Sequence, residues 1–129
     1  MKNFTRLVLF LLILNGCFPD LKLKNSDRLY LKEIKEPNIK IDWFFYSTIS
    51  STTPDYLIVS QGIKIDTICI SDNIANVEFI SDVIKISFYG EPSCHYKAIS
   101  IAGSVFDFEI KVDSSHVKNE PKTRKYYKK

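Results

Sequence analysis

The residues best equipped for chemistry in this 129-residue chain are three cysteines (Cys17, Cys69 and Cys94) and two histidines (His95 and His116). Cys94 and His95 are adjacent, and a thiolate with a neighbouring base is the pairing that nucleophilic catalysis uses. On an extended chain, however, successive side chains point apart, and catalytic pairs meet in space rather than in sequence. The histidines and cysteines lack the spacing of a zinc site, and no acidic metal loop is present, so no metal ligand is assigned. Gly62, Gly90 and Gly103 are far apart and fall at turn-like stretches, which leaves no phosphate-cradling loop. Acidic residues such as Asp107 and Glu109 alternate with apolar ones, the pattern of a solvated sheet face rather than of a paired catalytic site. The reading assigns no catalytic residue, no cofactor and no small-molecule substrate.

Cys17 closes a different kind of motif. The chain opens MKNFTRLVLFLLILNGC, in which Lys2 and Arg6 precede an unbroken apolar run from Leu7 to Leu14. A basic start and an apolar run of this length have the build of a secretory signal, too short for a stable membrane-spanning helix. Small residues of the Ala-x-Ala kind are missing, since the first alanine is Ala75. Instead Leu14, Gly16 and Cys17 resemble the lipobox of bacterial lipoproteins, with Asn15 where a small residue is usual. The resemblance covers residues 1–17. It implies transfer of diacylglycerol to the Cys17 thiol, cleavage before that residue and acylation of the new amine. Each buried methylene adds about 0.8 kcal/mol of membrane affinity, so two or more acyl chains anchor where one would not. The membrane is thus the first expected partner. Phe18 stands where some Gram-negative systems read an aspartate for inner-membrane retention, which favours the outer membrane if those rules apply.

Lipidation of Cys17 would leave Cys69 and Cys94 as an even pair in an oxidising compartment. A bond between them would close a loop of roughly 26 residues and contribute about 3–4 kcal/mol in the chain-entropy model; two free thiols are the alternative.

From Cys17 onward the chain is long enough for one hydrophobic core, and 45% hydrophobic with 26% charged residues is the composition of a folded domain. The formal charge of +3 is unevenly spread. Residues 17–116 hold ten basic and fourteen acidic side chains, whereas the tail from Val117 holds six basic ones against Glu120. The body of the protein is therefore acidic, which argues against nucleic-acid binding.

The chain divides into a signal peptide (1–16), a tether (17–26), a β-rich domain (27–113) and a basic tail (114–129) expected to be disordered. Residues 27–36 alternate as a strand and end before Pro37. Ile39, Ile41, Trp43, Phe45 and Ile49 share one face of the next strand, and Phe44 and Tyr46 occupy the other. If that second face is solvated, Phe44 and Tyr46 form an apolar patch fit for a binding surface. Gln61-Gly62 and Ser81-Asp82 read as hairpin turns. The apolar phase slips between Ile63/Ile65 and Ile68/Ile70, which predicts a bulge near Asp66-Thr67 or burial of both faces. A last pair, 96–102 and 105–112, is expected to turn at Gly103-Ser104. Seven or eight short strands without an amphipathic helix predict an all-β fold, an antiparallel β-sandwich of immunoglobulin-like shape.

These features favour a membrane-anchored, non-enzymatic lipoprotein whose β-domain binds a protein or envelope component. An immunity lipoprotein neutralising a toxin is an alternative. An envelope enzyme using Cys94-His95 or a carboxylate pair is another. The basic tail, with Tyr126 and Tyr127 interleaved, is either a solvated end or a patch for an anionic surface.

Overall fold

In the computed structural model, residues 23–94, 103–113 and 117–129 are described, and they form a β-sandwich of two four-stranded sheets. Cys17, His95, His116 and the expected strand 96–102 lie outside the described residues. A short 3-10 turn, Asn25–Asp27, leads into β1 (Arg28–Glu36), β2 (Ile39–Tyr46), β3 (Asp55–Gln61) and β4 (Lys64–Ser71). These four strands pair in chain order as an antiparallel meander. The second sheet contains β5 (Ile74–Ile80), β6 (Val83–Phe88), β7 (Gly103–Val105) and β8 (Phe108–Val112), in the order β5-β6-β8-β7. Two-residue turns explain the pairing of β1 with β2, β3 with β4, β5 with β6 and β7 with β8, because such a turn can only place its strands side by side; β2 and β3 pair across the longer connection 47–54. β6 and β8 are parallel, since the longer connection after β6 brings the chain back before β7. Each sheet comes from one half of the chain, whereas immunoglobulin sheets interleave strands from both halves.

Alternating apolar residues build the core between the sheets. Ile39, Ile41, Trp43, Leu57 and Val59 from the first sheet meet Val77, Ile84, Ile86, Phe88 and Ile110 from the second. Burying a side chain of this size contributes about 1.5–3 kcal/mol before conformational entropy is set against it. The phase slip in β4 is resolved by a bulge: Leu57 pairs with Cys69 and Ile58 with Thr67, leaving Ile68 as the extra residue. Both Ile68 and Cys69 are buried as a result.

Besides a one-residue shift of the β3–β4 turn to Gly62-Ile63, since Gln61 still pairs with Lys64, three expectations differ from the structure. Ile49 lies beyond the end of β2 and is fully exposed, because the strand stops at Tyr46. The last hairpin turns at Phe106-Asp107 instead of Gly103-Ser104, with Phe106 at φ 52°. The tail is the third. Residues 117–129 pack on the domain: Val117 N–H donates to the Phe88 carbonyl, and Tyr127 exchanges two backbone hydrogen bonds with Tyr30 on the free edge of β1. Composition marks this segment as solvated, but a few specific partners far upstream hold it.

A disulfide joins Cys69 of β4 to Cys94, with Cα atoms 5.5 Å apart. It ties the edge of the first sheet to the connection that follows β6. On the opposite side Lys32 Nζ of β1 donates to Asn76 Oδ1 (3.1 Å) and to the Val77 carbonyl (2.5 Å) of β5. Replacing Cys69 and Cys94 together with alanine is expected to lower the unfolding free energy by about 2–5 kcal/mol; urea denaturation of the double variant measures it.

Candidate functional site

The direction of β1 divides the molecule into two ends. The chain enters at Arg28, which pairs with Tyr46, and leaves β1 at Glu36, which pairs with Ile39 across the Pro37-Asn38 turn. At that far end all four two-residue hairpin turns gather around one open cavity of about 730 Å³. It is lined by Pro37 and Asn38, by Gln61 and Gly62, and by Asp82 and Asp107 from the turns of the second sheet. Gln61 Nε2 donates to Asp107 Oδ2 at 3.2 Å, so turns of the two sheets touch across it.

The local sequence accounts for these turns. Ser81 and Asp82 both have positive φ (51° and 61°), as a tight I′ hairpin requires of its central residues. Gly62 takes φ 60° without steric cost. Among the described residues, every non-glycine residue with positive φ (Ser81, Asp82 and Phe106) belongs to a turn at this end. Such conformations cost about 1–3 kcal/mol each and persist where the surroundings enforce them, often at functional surfaces.

This end also exposes aliphatic side chains that no core demands. Ile63 is 99% exposed at the tip of the β3–β4 turn, Ile65 follows at 69%, and Ile80 is 49% exposed beside Ser81. Lys64 lies between the first two, its ammonium 6.0 Å from the centroid of Phe106. An open, mixed surface of turns with protruding isoleucines suits contact with a macromolecule better than enclosure of a small molecule.

The patch expected at Phe44 and Tyr46 is absent, because both side chains are buried. Register explains it. Phe44 pairs with Tyr30 on one side and with Tyr56 on the other, so three aromatics form a row across β1, β2 and β3. The Phe44 ring stacks on Tyr56 (centroids 5.6 Å apart) and meets Tyr46 edge-on at 5.5 Å. The Arg28 guanidinium covers Phe44 at 4.2 Å, and its Nε donates to the Tyr46 hydroxyl at 3.2 Å. This face of the first sheet is a second small core.

Cys94, the thiol of the Cys94-His95 reading, is spent in the disulfide, so the nucleophile of that reading is not a free thiol. Glu33 and Asp42 stand opposite one another on β1 and β2, and lysines lie within ion-pair range of both, while Glu33 Oε2 and Asp42 Oδ1 are buried without a hydrogen bond. Lys35 meets Glu33 at 2.9 Å, Lys40 bridges Glu33 (3.4 Å) and Asp42 (3.0 Å), and Lys129 from the tail joins both carboxylates. Among the described residues no cluster of histidine, cysteine and carboxylate side chains is arranged to hold a metal ion.

Sequence reading missed Asp55, a carboxylate that is 2% exposed. It accepts a hydrogen bond from Trp43 Nε1 at 2.8 Å, and Arg124 Nη1 donates to both its oxygens at 2.8 and 2.6 Å. Burial pushes the Asp55 carboxyl above its ordinary value of 3.8, although Arg124 and Trp43 pull the other way. A signal was present: Asp55 is in phase with Leu57 and Val59, the core-facing set of β3, where a charge demands a partner.

Searches for similar proteins give no match, whether against family models, curated proteins or solved structures. Function is therefore argued from the site itself. Among the described residues no helix is long and apolar enough to cross a membrane.

Proposed function

We propose that this chain is an envelope lipoprotein, anchored through acylated Cys17, whose β-sandwich is a non-enzymatic binding module with its contact surface at the four-turn end. The single observation that carries the reading is the polarity of the fold. β1 enters at one end of the sandwich, and the exposed isoleucines and the turn cavity lie at the other. A short tether before Arg28 holds the entry end toward the lipid and turns Ile63, Ile65 and Ile80 outward. The partner in this reading is a protein or envelope polymer, since the cavity is wide open and exposed isoleucines stand in or beside the turns that line it.

The test is photo-crosslinking in native membranes, with a photoreactive residue placed at Ile63 or, as the opposite-end control, at exposed Ile49. A discrete adduct from position 63 and none from position 49 is expected. Equal labelling from both positions, or none from either, would overturn the assignment. Ile63→Asp is expected to change unfolding free energy by no more than about 0.5 kcal/mol, because the side chain is solvated. In a chain that still carries the photoreactive group at Ile65, the same substitution should reduce the adduct at least tenfold.

A further inference from the structure

Residues 117–129 fill a cleft whose chemistry is more selective than holding a solvated segment in place requires. Its floor is Asp55, oriented by the Trp43 indole N–H, and one wall is the Phe45 ring, 4.8 Å from the Arg124 guanidinium. Arginine suits such a pocket better than lysine, because a planar guanidinium can bond the carboxylate and lie against an aromatic face together. Beside it the free edge of β1 offers the Tyr30 N–H and carbonyl, which Tyr127 takes. Tyr126 meets Phe45 edge-on, Tyr127 stacks on Tyr30, and the Lys129 ammonium lies 4.2 Å from the Tyr30 centroid. The carboxylates of Glu33 and Asp42 receive the same lysine. Strand pairing at an edge, an anchoring side chain in a pocket and charge complementarity together make a known mode of peptide recognition.

The occupant lies on the surface. Most of residues 117–129 are exposed, with only Arg124 half-buried. Open cavities of about 320 and 190 Å³, each bordered by Pro121 and Arg124, flank it. We infer that this cleft is a peptide-recognition site, occupied in cis by the chain's own tail, that takes an extended basic segment of a partner protein bearing an arginine followed two residues later by an aromatic. The tail serves as a tethered competitor, raising the concentration an outside segment must reach. Such a tether corresponds to an effective concentration on the order of millimolar. The acidic lining, Asp55 with Glu33 and Asp42, selects a cationic segment.

The test uses the full chain carrying Arg124→Ala and a synthetic peptide with the sequence of residues 119–129. Emission of Trp43, the one tryptophan of the chain, reports the pocket. The peptide is expected to bind the variant saturably, and a peptide with lysine in place of its arginine at least tenfold more weakly. Wild-type chain should need at least tenfold more peptide than the variant. Equal response to both peptides, or no saturable binding by the folded variant, overturns the inference. So does a wild-type chain that dimerises through its tails in sedimentation, which would make a second copy the occupant. If the variant does not fold, hydrogen exchange of the Tyr127 amide in wild type supplies the readout. Several millimolar arginine peptide must accelerate it, and unchanged exchange is a contradiction.

Discussion

Replacing Arg124 with methionine is expected to lower the unfolding free energy at pH 7 by about 3–5 kcal/mol, the cost of leaving a buried charge without its partner. Methionine keeps much of the apolar stem but removes both hydrogen bonds to Asp55, which is 2% exposed and retains only the Trp43 N–H. The effect depends on pH with a definite sign. Burial raises the folded-state pKa of Asp55 above its ordinary 3.8, so stability from this group is greatest below that value and falls as pH rises through the folded one. Loss of the guanidinium raises the carboxyl further, and the penalty is felt only where Asp55 must ionise. The difference between variant and wild type should therefore shrink by half or more at pH 3, where the carboxyl is neutral. Paired urea titrations at pH 7 and pH 3 measure this. Asp55→Asn combined with Arg124→Met should be more stable at pH 7 than Arg124→Met alone, because the amide oxygen can still accept from Trp43 and no charge is stranded.

The second large effect is expected at Phe44. Truncation to alanine should cost about 3–5 kcal/mol, the range for emptying a fully buried phenylalanine site. The ring fills the space between Tyr30 and Tyr56 and supports the Arg28 guanidinium, so its loss leaves a cavity that three neighbours cannot close together. Phe44→Leu should cost less than half as much, since more of the volume is kept. Ile49→Ala, at a fully exposed position, should be silent within about 0.5 kcal/mol. Thermal unfolding of the three variants separates these outcomes. A solvated Phe44 would make all three alike.

The contrast between Phe44 and Ile49 shows what was legible in the sequence. Period-two alternation locates the strands, and the slip in phase between Ile65 and Ile68 points to a bulge near Asp66-Thr67, next to its actual place at Ile68, because both are local consequences of which face is buried. The status of Phe44 and Tyr46 is not local. Their second face is covered only because register sets Tyr30 and Tyr56 beside Phe44, and those pairs join residues fourteen and twelve positions apart. Phe106 misled for another reason. It continues the alternation of Phe108 and Ile110, yet it occupies a positive-φ turn position that glycine would ordinarily claim. The tail was least legible, since composition describes solubility, whereas a few contacts far upstream, such as a guanidinium meeting a carboxylate 69 residues away, hold it in place. The turn end lies between these cases. Ser81-Asp82 is readable as a turn and the β3–β4 turn falls one residue past the expected Gln61-Gly62, but the fact that all four two-residue turns share one end follows only from the strand pairing.

The outward role proposed for the turn end depends on its orientation relative to a lipid surface, and that proposal rests on acylation of Cys17. Intact-mass spectrometry of the protein extracted from its native membranes addresses this directly. The predicted species starts at Cys17 and carries a diacylglyceryl thioether, with or without an amide-linked acyl chain. A soluble species with an uncut leader, or with an unmodified Cys17 thiol, would contradict it.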